Sequence, residues 1–227
     1  MSDRRVTIVT GASRGIGAAT VRELLRDGHR VVATGRDAGR LHELAATLPD
    51  DADLRLVTGH AGDPGAVDRT IGTAVTEFGR IDTVVANAGY ATHDAFLDGD
   101  PEQWHDMVVT NVLGPALLAR AAIPHLRRTR GRIVIVGSVA GHVHTRGNLY
   151  GVTKFAMTGL AENLRLLVSQ DGIGVTLISP GAVRTGFFEP IGGPPDGRPG
   201  GYLDPATVAE WIAWVAGRGP ASTSTTC

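Results

Sequence analysis

Cysteine is almost missing from this chain: the single one among 227 residues is Cys227, the last. That excludes a disulfide within one chain and a cysteine-held metal site. No basic excess exists either. The formal net charge is -1 and no stripe of Lys and Arg stands out, so nucleic acid is not an expected partner. No apolar run approaches the ~18 residues of a membrane span, and the chain enters a strand-like run by Val6, leaving no room for a signal peptide. A cytoplasmic protein is expected. The most telling scarcity is lysine. Of the 22 Lys and Arg residues only Lys154 is lysine, so the other 21 are arginine.

What is present is ordinary for a globular protein: 42% hydrophobic and 20% charged residues. The length suits one domain over residues 1–227, with a single substantial core. The 31 glycines suggest tight turns and close backbone approaches. The lone lysine closes the run Tyr150-Gly151-Val152-Thr153-Lys154. A spacing of four puts both side chains on one helix face, a turn apart. A compact movable cation there, unlike a planar guanidinium, would favour the phenolate and bring the tyrosine pKa below about 10. Such a tyrosine can act as general acid or base. Taken alone, the pair reads first as a solvated lysine on a helix face, and the motifs that follow are what point to chemistry.

Short β-branched runs alternate with amphipathic stretches. The spacing predicts strands at 6–10, 30–34, 53–58, 83–87, 132–137 and 175–179, mostly continuous apolar runs suited to burial on both faces. It predicts helices at 14–27, 38–48, 64–78, 101–128, 148–170 and 205–216, with Pro64, Pro101 and Pro205 as helix starts. The alternation implies a doubly wound parallel sheet, a Rossmann-like three-layer α/β/α fold. Segment 189–201 holds five glycines and four prolines and reads as a loop, either one that carries substrate contacts or a surface excursion.

The first strand runs into Thr10-Gly11-Ala12-Ser13-Arg14-Gly15-Ile16-Gly17 and then a helix. Glycines there let backbone N–H groups approach a pyrophosphate, and the helix N-terminus adds its positive end. An NAD site carries an acidic residue about 20 residues later to hold the ribose hydroxyls. Here the second strand ends in Thr34-Gly35-Arg36-Asp37. Gly35 offers no carboxylate, whereas Arg36 and Arg14 offer two cations for a 2′-phosphate. Asp37 reads as the N-cap of the following helix. The expected cofactor is therefore NADP(H).

Further along, Val136-Gly137-Ser138 ends the fifth strand at the side where the ligand crevice of such a sheet opens. Asn87-Ala88-Gly89 closes the fourth strand. Asn111 lies amid Val108, Val109, Val112 and Leu113, where it would be buried and need a partner. Together with Ser179-Pro180-Gly181-Ala182-Val183-Arg184-Thr185, these motifs resemble the short-chain dehydrogenase/reductase family over about residues 5–217. The resemblance implies hydride transfer between a nicotinamide and a carbonyl or alcohol carbon of a small molecule. It implies Tyr150 as general acid in reduction and base in oxidation. Lys154 would tune it and hold the nicotinamide ribose, Ser138 would orient the substrate oxygen, and Asn111 would hold a water linking Lys154 to solvent. It also implies that Gly11, Ser13, Arg14, Gly15, Ile16, Gly17, Arg36, Asn87, Ala88, Gly89, Tyr150, Lys154, Pro180, Gly181, Val183 and Thr185 contact the cofactor. A homo-oligomer, dimer or tetramer, is expected with it. Reduction of a C=N or activated C=C bond, and a non-catalytic NADP-binding role, stay open at this point.

The chain departs from the family pattern in three places. His60 stands where an aspartate usually contacts adenine. Ala86 replaces a common asparagine. After the last helix, Gly217 to Cys227 has little apolar content for a final strand, so a shortened or missing last strand is expected. Candidates for substrate contact are Tyr90, His93 and Phe96 after the fourth strand, and His142, His144 and Arg146 between Ser138 and Tyr150. Phe187 and Phe188 could form a lid. Of Trp211 and Trp214, at least one is expected in the core or at a subunit interface.

Overall fold

The computed structural model describes residues 4–92, 94–144, 147–191 and 201–219, without the side chains of residues 188, 190 and 191. His93, Arg146, the Phe188 side chain, most of the 189–201 segment and the tail with Cys227 lie outside the described residues. Six strands, β1 (Val6–Thr10), β2 (Arg30–Gly35), β3 (Leu54–Thr58), β4 (Thr83–Ala86), β5 (Arg132–Val136) and β6 (Gly174–Ile178), form a parallel sheet in the order β3-β2-β1-β4-β5-β6. The connecting helices are α1 (Gly15–Arg26), α2 (Ala38–Ala46), α3 (Pro64–Phe78), α4 (Pro101–Val108), α5 (Gly114–Thr129), α6 (Leu149–Val168) and α7 (Pro205–Ala216).

Successive strand residues point to opposite faces, and both faces are dry. Ile8, Val84, Ile133 and Ile135 join Leu118, Leu126 and Met157 of α5 and α6 in one core. Val9, Val85, Val134 and Val136 join Leu24, Leu41 and Ile212 of α1, α2 and α7 in the other. This two-sided burial is why the strands read as unbroken apolar runs. The helices start where the sequence says they should: Asp37, Asp63, Asp100, Asn148 and Asp204 each accept a backbone N–H as N-cap.

Two expectations change. The single helix expected over 101–128 is α4 and α5 joined by a π-helical segment, Val109–Leu113. In addition, Pro101–Thr129 as a whole is apolar and long enough to cross a membrane by length and composition, which a search for an uninterrupted apolar run overlooks. In the fold, Leu118, Ala119, Ala122 and Leu126 of this stretch pack into the core on one face of the sheet. Among the described residues β3 and β6 are the two edges of the sheet, and the tail in which a last strand was expected to be short or missing lies mostly outside them. The order of winding reverses between β1 and β4, so a crevice opens at the carboxyl ends of these central strands.

Candidate active site

That crevice is a cleft of about 1030 Å³. Its floor is the glycine turn between β1 and α1. Gly11 and Gly15 hold positive φ, 64° and 56°, a conformation that side chains disfavour. Gly17 is required for space, since a Cβ there would lie 2.2 Å from the Gly11 carbonyl oxygen. The β4 motif stitches this turn in place. Asn87 Nδ2 donates to the Thr10 and Gly11 carbonyls at 2.9 and 3.2 Å, and the Thr10 hydroxyl accepts from the Asn87 and Ala88 amides, both at 3.1 Å. The result is a cradle of bare backbone beneath the N-terminus of α1, a shape and polarity that fit a pyrophosphate.

Arg14, Arg36 and Arg40 also line the cleft. Arg14 reaches Glu189 at 2.9 Å, and the Arg36 guanidinium lies 5.7 Å from the centre of the Tyr90 ring. Asp37 accepts the Arg40 amide at 3.0 Å as the N-cap of α2, which is the role the sequence assigns to it. His60 lies at the end of β3 with its ring bonded to protein partners on both sides. Its Nδ1 accepts the Gly62 amide at 3.0 Å and its Nε2 lies 3.1 Å from the Thr110 hydroxyl.

At the other end stand Ser138, Tyr150 and Lys154, brought together by β5, the turn that follows it, and the first turns of α6. Burial pushes the Tyr150 phenol above its ordinary pKa, and the neighbouring Ser138 hydroxyl offsets part of that shift. Lys154 is 7% exposed. Its Nζ donates to the Val136 carbonyl at 3.3 Å and approaches Met157 Sδ at 3.5 Å, and burial draws its pKa down to about 8. The expectation of a lowered tyrosine pKa is therefore corrected in its net direction, because burial outweighs the lowering contributions at the phenol. The ammonium sits 5.6 Å from the ring centre, anchored on a carbonyl of β5, and desolvation dominates at the phenol.

Asn111 is fully buried in the π-helical segment. Its Nδ2 donates to the Tyr90 carbonyl at 2.9 Å and to the Thr153 hydroxyl at 3.0 Å, and its Oδ1 accepts the Tyr90 amide at 3.1 Å. Gly89 leaves the gap between this amide and the lysine: a Cβ there would meet Asn111 Oδ1 at 3.1 Å and Lys154 Nζ at 3.8 Å. The Pro180 carbonyl accepts the Val139 amide at 3.0 Å, which joins the segment after β6 to the Ser138 turn. Pro180, Gly181, Val183 and Thr185 all line the cleft. Of the candidate substrate contacts, Tyr90 and Phe187 line it, and Phe187 packs edge-on against Tyr150 at 5.4 Å. Phe96 instead packs on Trp104, and His144 stacks on Phe155. His142 Nε2 lies 2.9 Å from the Ser179 hydroxyl, outside the cleft lining. Trp211 and Trp214 are both more than half exposed and pack on each other, so neither is core.

The family model for short chain dehydrogenases matches residues 5–194. The chain belongs to the short-chain dehydrogenase family. This short-chain dehydrogenase is 35% identical over 216 residues to an uncharacterized oxidoreductase of Staphylococcus saprophyticus, covering 91% of this chain and 88% of that protein. It superposes with TM-score 0.88 on an alcohol dehydrogenase from the archaeon Thermococcus sibiricus complexed with 5-hydroxy-NADP, at 28% identity over 99% of this chain and 95% of that one. The closed form of a serine dehydrogenase complexed with NADP+ gives TM-score 0.87 and 31% identity, over 97% and 92% of the two chains.

In this short-chain dehydrogenase, sequence reasoning missed Arg40, Thr10, Asn148 and Thr153. The first three line the cleft, and Thr153 joins Asn111 to the Tyr150 carbonyl, to which its hydroxyl donates at 2.7 Å. Arg40 was findable as a third arginine one helical turn past Arg36. Asn148 was legible only as the N-cap of α6, and the contacts of Thr10 and Thr153 leave no spacing signal.

Proposed function

We propose that this oxidoreductase interconverts a carbonyl and an alcohol with NADP(H), in the direction of ketone reduction, with Tyr150 as proton donor. One observation carries the reading: Ser138, Tyr150 and a buried Lys154 share one cleft with the glycine cradle, the lysine beside the tyrosine ring. NADP(H), when bound, supplies or accepts the hydride. The cradle residues Gly11, Ser13, Gly15, Ile16 and Gly17 would hold its pyrophosphate, and Arg14 and Arg36 its 2′-phosphate. Asn87, Ala88 and Gly89 would flank its adenosine side. Pro180, Gly181, Val183 and Thr185 would hold its nicotinamide side. The NADP complexes of the two solved relatives, both of similar fold, support this choice.

Ser138 holds the substrate oxygen by hydrogen bonding and Tyr150 gives it a proton. The raised phenol pKa keeps that proton in place at neutral pH, which suits an acid acting in reduction. After the transfer, the Lys154 cation stabilises the phenolate, and the Asn111 site beside it is the route for proton resupply. Val139, Val143 and Phe187 give the mouth near Tyr150 apolar walls, which suits an uncharged ketone. The test is NADPH consumption against a panel of ketones, with Tyr150→Phe in parallel. Loss of about 10²–10⁴-fold in kcat with NADPH binding intact is expected for a lost general acid. A variant that keeps most of the activity would sink the mechanism.

A further inference from the structure

The loop after β3 touches the π-helical segment Val109–Leu113 at three points. Gly62 has no side chain because a Cβ there would lie 2.3 Å from Val109 Cγ1 and 2.8 Å from the Val109 carbonyl oxygen. Gly114, closing the segment, would put a Cβ 3.2 Å from Ala61. Between these two close packings lies the only side-chain hydrogen bond described between loop and segment, from His60 to Thr110. The histidine tautomer follows from its partners. Nδ1 accepts the Gly62 amide, so the ring proton is on Nε2 and is donated to the Thr110 hydroxyl oxygen. Thr110 is buried and directly precedes Asn111.

A π-helical turn lacks the regular i→i−4 ladder and needs tertiary support to persist. Here the support matters because Asn111 makes three hydrogen bonds from within that turn, two to the Tyr90 backbone and one to Thr153. Thr153 in turn donates to the Tyr150 carbonyl. We propose that His60 is a positioning residue: through Nε2 and Thr110 it fixes the π-helical turn, and with it the Asn111 amide beside Lys154 and Tyr150. The residue that departs from the family pattern at the adenosine side thus acts on the proton-donor side. This extends the reading of Tyr150 and Lys154 given above.

Two substitutions separate the two ring nitrogens. In His60→Gln the side-chain amide can still donate to Thr110, whereas in His60→Asn the shorter side chain can accept the Gly62 amide but does not reach Thr110. Thr110→Val removes the acceptor and leaves the ring in place. The primary readout is hydrogen exchange of the Tyr90 amide in the cofactor-free protein, since that amide donates to Asn111 Oδ1. The expected result is exchange about fivefold faster or more in His60→Asn and Thr110→Val, the effect of one lost hydrogen bond, with His60→Gln near wild type. Ketone turnover should follow the same order, with kcat lowered more than the KM for NADPH. Rescue by Asn but not by Gln would overturn the proposal, because the Gly62 turn would then be what matters. Wild-type exchange in Thr110→Val would overturn it too, whatever the His60 variants do. Because the exchange readout involves no catalysis, a failure of the Tyr150 mechanism would appear in turnover alone.

Discussion

Replacing Lys154 with methionine is expected to stabilise the cofactor-free protein while ending its activity. The ammonium is buried, and its pKa falls from 10.5 to about 8. Keeping the charge inside at neutral pH therefore costs roughly 3 kcal/mol. In the variant the Val136 carbonyl loses its donor, which offsets about 1 kcal/mol. The net gain is about 2 kcal/mol, or about 4–8 °C in Tm for a chain of this size. The pH dependence gives the sharper check. Between about 8 and 10.5 the unfolded chain holds a proton that the folded chain has released, so wild-type stability from this group rises with pH across that window. Below about 8 the cost is fully present, and above 10.5 it is gone. Tyr150, with its raised pKa, acts in the opposite sense above about 10, but both proteins carry it. Urea unfolding at pH 7 and pH 10 measures the gap between variant and wild type. A variant less stable than wild type at pH 7, or a gap that does not narrow at pH 10, would refute the reasoning.

Three further outcomes are expected. Gly17→Ala places a methyl group 2.2 Å from the Gly11 carbonyl oxygen and 2.6 Å from Asn87 Nδ2. It should cost about 1–3 kcal/mol of stability and weaken NADPH binding about tenfold, read by thermal melting and fluorescence titration; unchanged binding would contradict the cradle. Arg14→Ala and Arg36→Ala should each weaken NADPH binding about tenfold, the loss of one charge-assisted hydrogen bond, and leave NADH within about twofold. An equal loss for both cofactors would remove the 2′-phosphate role. Arg130, at the end of α5, holds φ of 50° as the single non-glycine residue with positive φ among those described. Arg130→Gly should therefore raise stability by about 0.5–1 kcal/mol, and a lower Tm would show that its side-chain packing over Gly172 outweighs the backbone strain.

The fold was legible because every strand but β3 is dry on both faces and five of the seven helices begin at an Asp or Asn cap. Both features are written in local sequence, and α3 and α7 match their expected bounds to the residue. Ser138, Tyr150, Lys154 and the glycine turn were legible because their chemistry requires fixed residue types at fixed spacing. The π-helical turn was not, since it is set by Gly62 and Gly114 packing against residues about 50 positions away in the chain. The sign of the Tyr150 shift was also out of reach. Spacing brings the lysine near the ring, but the Val136 carbonyl decides where its charge sits. His142 and His144 turn away from the cleft to meet Ser179 and Phe155, partners that no spacing rule names.

Val183 and Leu203 form an isolated parallel bridge, flanked by the Arg184 amide donating to Leu203 and the Leu203 amide donating to Ala182. The chain thus departs for the mouth of the cleft and returns at one clamped point. The clamp is two backbone hydrogen bonds made by one residue, Leu203, so the two ends of the excursion are tied together whatever side chains lie between them.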